Sequence, residues 1–337
     1  MTNTQALPTT ALGPDGTRVG VQGYGAMGIS EFYGDSDLAE SRATLERALE
    51  LGVTLFDTAD VYGAGHNEEF LRDFVRTHRE NIVLATKFGI VRKVEDPAYR
   101  GTDNSPEYIR SAVDASLRRL GIDVIDLYYM HRKQPGVPVE DTAGVLGELV
   151  AAGKVKQIGL SEVTGAELRA AHAVHPIAAV QSEWSLFSRD VENTVVPAAA
   201  ELGITFVPYS PLGRGFLTGA APIGELPEGD IRRTMPRFTG DNADRNAALL
   251  APLRAIAEAR GLTPAQVALA WVHARSAVHG LPVVPIPGTR SRTRVAENIA
   301  AATVELTADE LATLEPIAGQ VAGNRYADMN FTAVGRE

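Results

Sequence analysis

The feature of this sequence that most limits its fold is an alternation of short apolar runs with amphipathic helical patterns. Eight runs are typical of strands: residues 19–23, 53–57, 82–86, 124–130, 157–160, 178–181, 204–208 and 283–286. One helical pattern begins at Ser105-Pro106, an N-cap and a first-turn proline, and ends at Gly121. Nearly unbroken apolar strands followed by helices indicate a parallel sheet covered by helices, and eight such units favour a TIM (β/α)8 barrel over an open sheet. We expect residues 1–337 to form a single barrel domain.

Two stretches depart from this alternation. Residues 12–17 form a turn signal between two short runs, which predicts an N-terminal β-hairpin. Residues 213–247, after the seventh predicted strand, are rich in Gly, Pro and Arg and only weakly periodic. Loops of that length are usually functional or disordered, so we predict a long loop that is either disordered or functional, with closure over a bound ligand as a hypothesis.

Composition excludes several classes of protein. The net charge of −10 argues against nucleic acid as a partner, and the absence of cysteine excludes disulfides and thiolate chemistry. No apolar stretch approaches the ~18 residues that cross a bilayer, and the first residues lack the pattern of a signal peptide. A cytoplasmic protein without a membrane partner is therefore expected. No histidines or carboxylates stand at metal-ligand spacing, so we predict no metal.

Residues 23–28 match the G-x-G-x-x-G pattern of Rossmann dinucleotide sites. That fingerprint needs a helix starting inside it and an acidic residue about 20 positions later at the end of the next strand. Here a loop composition follows the glycines, helix signals begin only near Ser36-Asp37, and Glu46 falls inside a helix. The pattern therefore favours glycines that let the first barrel strand and its loop pass close to a neighbour.

Polar residues follow three successive predicted strands, in FDTADVYG, ATKFG and DLYYMHR. Barrel enzymes place their chemistry where strands meet the following loops, so Asp57, Tyr62, Lys87 and His131 are expected at one rim. Lys87 is either a functional cation held by Asp57 or a structural ion pair. A neighbouring Lys would lower the pKa of Tyr62 and make the phenol a general acid near neutral pH. The alternatives are a packed loop tyrosine and a satisfied buried histidine.

The last predicted strand runs into IPGTRSRTRVAEN, a Gly-Thr turn followed by a helix whose first turns carry three arginines. A helix N-terminus with guanidinium groups binds phosphate, and the final βα units are where barrels often place a phosphate site. A solvated basic helix face is the alternative, although the cluster stands out in a chain of net charge −10.

Together with GLSE and YSPLGRGFLTG, these motifs resemble the aldo-keto reductase family in order and spacing across nearly the whole chain. GISEFYG and SRDVE resemble the NADPH-dependent bacterial and plant branch. The resemblance implies reduction of a small-molecule aldehyde or ketone by hydride from C4 of the nicotinamide. Tyr62 would protonate the carbonyl oxygen, Lys87 held by Asp57 would tune Tyr62, and His131 would orient the carbonyl.

The resemblance also implies a cofactor site, with NADP(H) favoured over NAD(H). Ser161 and Gln181 would hold the carboxamide, and Tyr209 would stack on the nicotinamide ring. The other expected contacts are Gly25, Ala26 and Met27 on the nicotinamide half, Ser210, Leu212, Gly213 and Arg214 along the pyrophosphate, and Arg290, Ser291, Arg294, Glu297 and Asn298 at the adenosine end. Glu162 departs from the better-known mammalian pattern of the family, in which an Asn often follows the serine. An ionised carboxylate cannot donate to the carboxamide oxygen, so its role at this position is left open.

Two other functions fit the same residues. One is a Schiff-base aldolase with Lys87 as nucleophile, which the Arg-rich segment and Tyr62 disfavour. The other is a cofactor-binding regulatory subunit with little turnover, although the sequence shows no partner-binding extension. The substrate would be selected by Phe32, the loop after Phe88 and residues 213–247, and Trp184 either lines the pocket or packs.

Overall fold

The computed structural model describes residues 7–34, 36–92, 99, 101–219 and 226–336. Within them the strands are β1 (Thr9–Ala11), β2 (Arg18–Gly20), β3 (Tyr24–Gly25), β4 (Leu55–Asp57), β5 (Val83–Phe88), β6 (Ile90–Val91), β7 (Gly101–Thr102), β8 (Ile125–Met130), β9 (Val155–Ser161), β10 (Ala179–Glu183) and β11 (Thr205–Tyr209). The helices are α1 (Leu38–Glu50), α2 (His66–Thr77), α3 (Pro106–Leu120), α4 (Val139–Ala151), α5 (Gly165–Val174), α6 (Val195–Leu202), α7 (Gly240–Ala248), α8 (Ala251–Arg260), α9 (Pro264–His279), α10 (Arg292–Ala300) and α11 (Ala308–Leu314).

Seven of these strands form one sheet in the order β11-β10-β9-β8-β5-β4-β3, and every neighbouring pair in it is parallel. The predicted N-terminal hairpin is confirmed, because β1 and β2 pair antiparallel with Thr10 opposite Val19. A second short hairpin, β6 with β7, follows β5. Helices after the sheet strands cover the outer face, so the predicted barrel architecture is confirmed.

The gap between β11 and β3 is closed by residues 282–288, which we call the closing segment. Val284 N–H donates to Phe206 O at 2.9 Å, Ile286 N–H donates to Pro208 O at 3.0 Å, and Gly23 N–H donates to Pro285 O at 2.9 Å. Its three prolines, in LPVVPIPG, have no N–H group, so the segment cannot carry a regular ladder. The eighth predicted strand, 283–286, therefore occupies the eighth barrel position as irregular backbone, with a single bridge between Val283 and Phe206.

The predicted first barrel strand, 19–23, was wrong in position. Val19 lies in hairpin strand β2, and the barrel strand is Tyr24–Gly25, with Gly25 beside Asp57 of β4. Both stretches are short and apolar, so composition alone does not separate the hairpin from the barrel.

The glycine pattern serves this closure. A Cβ on Gly25 would lie 2.8 Å from Ile286 O, and a Cβ on Gly288 would lie 2.6 Å from Gly25 O, both too close for a real side chain. The glycines thus let β3 contact the closing segment, as the sequence indicated. A short 3₁₀ turn begins at Met27 within the pattern, and α1 begins only at Leu38 after its N-cap Asp37. No α-helix starts inside the pattern, which confirms that it is not a Rossmann fingerprint.

Local signals in the sequence place most helix ends correctly. The Ser105 side chain caps α3, which Gly121 ends at φ 67°, and Thr263 and Thr307 form capping boxes at α9 and α11. Trp184 packs rather than lining the mouth of the barrel, because it is fully buried against Phe206.

The described parts of residues 213–247, which are 213–219 and 226–247, contain more regular structure than the prediction of a long loop implied. Three short 3₁₀ segments, Gly213–Thr218, Ile231–Thr234 and Pro236–Phe238, are followed by α7. Residues 220–225 lie outside the described part of the chain. Among the described helices, none combines the length and the apolar character that a membrane crossing needs.

Candidate active site

Backbone strain is concentrated at the carboxyl end of the barrel strands. Five non-glycine residues of the described chain have positive φ: Phe32, Ala64, Glu162, Ser210 and Arg214. Each lies in a segment that follows a sheet strand, after β3, β4, β9 or β11. Such conformations cost about 1–3 kcal/mol each and persist mainly at functional sites. This mouth of the barrel is therefore the candidate active site, as barrel topology also indicates.

Four predicted residues meet at this mouth. Lys87 is fully buried, forms an ion pair with Asp57, and donates to Thr58 O at 2.8 Å. Its Nζ lies 3.5 Å from the Tyr62 hydroxyl. The Tyr62 and His131 rings meet edge-on, with centroids 5.8 Å apart and planes at 87°. Gln181 donates to the second Asp57 oxygen at 2.8 Å, so both carboxylate oxygens of Asp57 have partners.

The chain around β4 explains the position of Tyr62. After Asp57 the backbone turns at Gly63 (φ 56°) and Gly65 (φ 96°) before α2 begins, which holds Tyr62 above the end of β4. Asn67 locks this turn, because its side chain accepts from the Thr58 hydroxyl at 2.6 Å and donates to Ala26 O at 3.0 Å.

Burial dominates the ionisation of the site. It raises the pKa of Tyr62 well above the ordinary value, Asp57 raises it further, and Arg132 opposes the shift. The prediction that Lys87 lowers the pKa of Tyr62 was therefore wrong for this structure, because the Lys87 charge is paired with Asp57 and the phenolate would be desolvated. Tyr62 is consequently a protonated phenol at neutral pH.

Burial also disfavours the charged forms of Asp57, Lys87 and His131. Burial lowers the pKa of Lys87 against the opposing effect of Asp57, and it raises the pKa of Asp57 despite Lys87. Burial, Arg132 and Lys87 hold the pKa of His131 well below its ordinary value. His131 is therefore a neutral imidazole, and its buried Nδ1 has no hydrogen-bond partner among the described residues.

The residues predicted for the nicotinamide end lie around this group. Ser161, buried at the end of β9, accepts from Arg132 at 3.2 Å, and the Arg132 guanidinium lies 6.0 Å from the Tyr209 ring centroid. Ala26 N–H donates to Asp57 O at 2.9 Å, and Met27 packs against the cluster that contains Tyr62. Gly25, at the end of β3, lies beside Asp57.

The residues predicted along the pyrophosphate follow β11 without a break. Gly213 N–H donates to Ser210 O at 2.9 Å, and Leu212 stands before the 3₁₀ segment that begins at Gly213. Arg214 donates to the hydroxyl of Tyr326 at 2.7 Å and to that of Tyr33 at 3.3 Å. The predicted stretch is therefore a strained turn that faces aromatic hydroxyls.

The adenosine-end residues gather at the start of α10. Ser291 is its N-cap, with Oγ accepting from Arg294 N–H at 3.4 Å. Arg294 is exposed, and its guanidinium makes no ion pair with the residues that the structure describes. Arg290 donates to Tyr33 O and Gly34 O.

Two further residues predicted for the adenosine end lie on the inner side of α10. Glu297 accepts from the Thr263 hydroxyl at 2.6 Å, so its carboxylate links α10 to α9, and Asn298 is buried.

Sequence reasoning missed the residues that the C-terminus contributes. The Tyr326 hydroxyl lies 3.3 Å from that of Tyr209, and Arg325 reaches the end of β9. No motif or periodicity in residues 321–336 signals this return to the barrel. Arg132 was also missed, although its place beside His131 in DLYYMHR could have indicated it.

Glu162, which departs from the better-known mammalian pattern, hydrogen-bonds to other groups of the protein. Its carboxylate is buried and accepts from Arg325 at 2.9 and 3.2 Å and from the Tyr209 hydroxyl at 2.7 Å. Burial alone would raise the pKa of Glu162, but Arg325 and then Arg132 hold it at about 2. Glu162 is therefore an ionised partner of the C-terminal residues.

This pKa predicts how stability depends on acid. A carboxyl whose pKa falls from 4.5 to about 2 on folding contributes about 3 kcal/mol, present above the unfolded pKa and lost as pH falls towards the folded pKa. Urea unfolding of wild type and Glu162→Gln should show a constant gap above about pH 5 that shrinks by about 1.4 kcal/mol per pH unit below about 4.5. Glu201→Gln, which breaks the exposed pair with Arg169, is the control and should show little gap. A gap for Glu162→Gln that is as large at pH 3 as at pH 6 would contradict the assignment.

A cavity of about 600 Å³ lies at the opposite end of the barrel. It contains none of the predicted site residues, and its buried carboxylate Asp126 is already paired with Arg79 and Lys156 at 2.7–2.8 Å. We therefore do not regard it as the active site. The described residues also include no group of three or more His, Asp or Glu placed to hold a metal ion.

Comparison with known proteins identifies the family. The family model described as "Aldo/keto reductase family" matches residues 23–318, nearly nine-tenths of the chain. The protein belongs to the aldo/keto reductase family. This aldo-keto reductase is 44% identical over 332 residues to a probable aldo-keto reductase 1 of Glycine max, covering 97% of this chain and 93% of that protein.

Solved structures of other family members have the same fold. The glycerol dehydrogenase AKR11B4 of Gluconobacter oxydans is 28% identical, with a TM-score of 0.82 over 98% of this chain and 100% of that one. The holo form of aldo-keto reductase AKR11C1 from Bacillus halodurans is 27% identical, with a TM-score of 0.74 over 96% and 100% of the two chains. The resemblance seen in the motifs is confirmed, and membership supports an oxidoreductase that reduces small-molecule carbonyl compounds with a nicotinamide cofactor.

Proposed function

We propose that this aldo-keto reductase reduces an aldehyde or ketone to the alcohol with NADPH, reversibly, with Tyr62 as the general acid. The observation that carries the proposal is the Tyr62 hydroxyl 3.5 Å from Lys87, which is itself paired with Asp57, at the strained mouth of the barrel. The bound cofactor supplies hydride from nicotinamide C4 to the carbonyl carbon.

The residues of the chain perform the remaining steps. The neutral imidazole of His131 donates a hydrogen bond that orients the carbonyl oxygen beside Tyr62. As the carbonyl carbon gains hydride, its oxygen takes the proton from the Tyr62 hydroxyl, so the product is the neutral alcohol. The Lys87 ammonium, held by Asp57, stabilises the phenolate left on Tyr62 until solvent reprotonates it.

The described residues fit a phosphorylated dinucleotide. Arg294 is an exposed cation without an ion pair in the first turn of α10, and the Ser291 cap marks the helix N-terminus where anions are favoured. At the other end, the Arg132 guanidinium donates to Ser161 and lies 6.0 Å from the Tyr209 ring centroid. These features support NADP(H), with Arg294 on the 2′-phosphate.

Arg294→Gln should weaken NADPH binding by about 10- to 100-fold, because one charge-assisted contact to phosphate is lost. NADH binding should change little, since NADH has no 2′-phosphate. Cofactor fluorescence titration measures both affinities. Arg292→Gln is the matched control, because Arg292 lies on the same helix turn but already pairs with Glu40. Equal losses for NADPH and NADH would contradict the assigned contact.

The test of the function itself is NADPH oxidation by the purified protein across aldehydes, ketones, sugars and pyridoxal. Tight NADPH binding without turnover on any of them would favour a regulatory subunit instead. Borohydride trapping of a carbonyl compound on Lys87 would favour the aldolase, although the engagement of Nζ by Asp57 and Thr58 O argues against a free nucleophile. Several expectations stay predictions. They are the selection of substrate by Phe32, the loop after Phe88 and residues 213–247, the closure of residues 213–247 over the ligand, a single-domain organisation and a cytoplasmic location.

A further inference from the structure

We propose that Glu162 is a positioning residue that fastens the C-terminal segment (residues 321–336) across the nicotinamide end of the site, so that cofactor binding and docking of this segment stabilise each other. The proposal rests on the proposed function for the identity of the cofactor, and on the contacts of Glu162 for the rest.

The C-terminal segment reaches Glu162 at three separated points. Arg325 binds the carboxylate through two nitrogens, and Ala333 N–H donates to it at 3.2 Å. Arg336 donates to the Glu162 carbonyl oxygen at 2.7 Å and pairs with Glu167 at 3.0 Å. These contacts span 163 to 174 residues of sequence, so they fold the end of the chain back onto β9 and α5.

The conformation of Glu162 indicates that this anchor is specified rather than incidental. Its φ of 52° is unfavourable for a residue with a long side chain, and its carboxylate is buried. Both costs are tolerated where surrounding contacts determine the position, and here Arg325, Tyr209 and two backbone N–H groups, from Glu183 and Ala333, supply those contacts.

The other side of the anchor faces the reacting centre. The Tyr209 hydroxyl donates to Glu162 and lies 3.3 Å from the Tyr326 hydroxyl, which accepts from Arg214 at 2.7 Å. The Arg214 guanidinium also lies 5.4 Å from the Tyr326 ring centroid. Through Tyr326 the segment therefore contacts Tyr209 and Arg214, two residues proposed to hold the cofactor.

A shared residue makes the two events mutually dependent. Glu162 follows Ser161 directly in the chain, and its carboxylate accepts from the hydroxyl of Tyr209. Ser161 is proposed to hold the carboxamide of the cofactor, and Tyr209 is proposed to stack on its nicotinamide ring. If the docked segment orients Tyr209 for the cofactor, the bound cofactor must stabilise the docked segment by the same factor.

Hydrogen–deuterium exchange and NADPH titration test this with Glu162→Gln, which keeps the size of the side chain but leaves Arg325 buried without its main partner. We expect the segment to be undocked in most molecules of the free variant, so amide exchange in residues 321–336 should rise to that of an undocked chain and the Kd for NADPH should rise about tenfold. Added NADPH should slow exchange in the segment. Glu201→Gln, at an exposed pair on α6, is the control and should change neither quantity.

Two further variants keep the test decisive. Glu162→Gln with Arg325→Met removes the unpaired buried cation, so it should recover folding stability while the segment stays loose and NADPH stays weakly bound. Tyr326→Phe keeps the anchor, so it should leave exchange unchanged and raise KM for the carbonyl substrate more than it lowers kcat.

Wild-type exchange in the segment of Glu162→Gln would overturn the anchor. Raised exchange with an unchanged Kd for NADPH would overturn the coupling. Failure of wild type to bind NADPH would instead overturn the proposed function, because exchange in the free protein measures the anchor without cofactor.

Discussion

Tyr62→Phe is expected to lower kcat for carbonyl reduction by about 10²- to 10⁴-fold, the usual contribution of a general acid. The substitution removes only the phenolic hydroxyl of Tyr62, which burial keeps protonated and able to donate at neutral pH in the wild type. NADPH affinity should stay within about twofold, because the proposed cofactor contacts are made by other residues. Single-turnover oxidation of bound NADPH, followed at saturating substrate, measures the chemical step directly.

The control for this substitution is Tyr129→Phe. Tyr129 is fully buried in the barrel, and its ring centroid lies 6.0 Å from Lys87 Nζ, against 5.3 Å for Tyr62. A general loss caused by removing a hydroxyl near Lys87 would affect both variants alike. Should Tyr62→Phe keep its full single-turnover rate, another group must protonate the carbonyl oxygen.

Lys87→Met is expected to lower the rate comparably and to destabilise the fold by about 3–5 kcal/mol, the cost of leaving a buried charge unpaired. Asp57 is buried, and without Lys87 its pKa rises further, so it takes up a proton or strains the site. Urea unfolding measures the stability, and NADPH oxidation measures the rate.

A second substitution separates the structural part of this effect from the chemical part. Lys87→Met with Asp57→Asn removes both charges, so it should recover most of the lost stability but none of the rate. The phenolate that forms on Tyr62 would still lack the ammonium 3.5 Å away. Recovery of the rate together with the stability would show that Lys87 has only a structural role.

The barrel and the grouping of Asp57, Tyr62, Lys87 and His131 could be predicted because both depend on local sequence. Asp57, Lys87 and His131 stand at the ends of apolar strands, and parallel strands in a barrel must bring those ends together. The closing segment was harder to predict, because its prolines replace the regular pairing on which strand patterns depend. The pKa of Tyr62 was predicted in the wrong direction because a sequence shows which charge is near but not how deeply the phenol is buried.

The C-terminal contribution could not be predicted at all. The pair of Glu162 with Arg325 joins positions 163 residues apart, and neither residue stands in a periodic pattern that would indicate burial. The one sequence feature that pointed to it was Glu162 itself, which occupies a position where an amide side chain is common. A charged residue in such a place indicates an unseen partner of opposite charge, but not where in the chain that partner lies.

The closing segment also connects the closure of the barrel to the proposed adenosine site. It joins β11 to β3 through few backbone hydrogen bonds, and two residues beyond its last glycine the chain reaches Arg290, then the cap of α10. Tyr24 of β3 donates to Thr289 O in the same short stretch. A ligand held at α10 therefore also clamps the least regular joint of the barrel. The adenosine half of the cofactor, which takes no part in the reaction, would therefore stabilise the closure of the barrel.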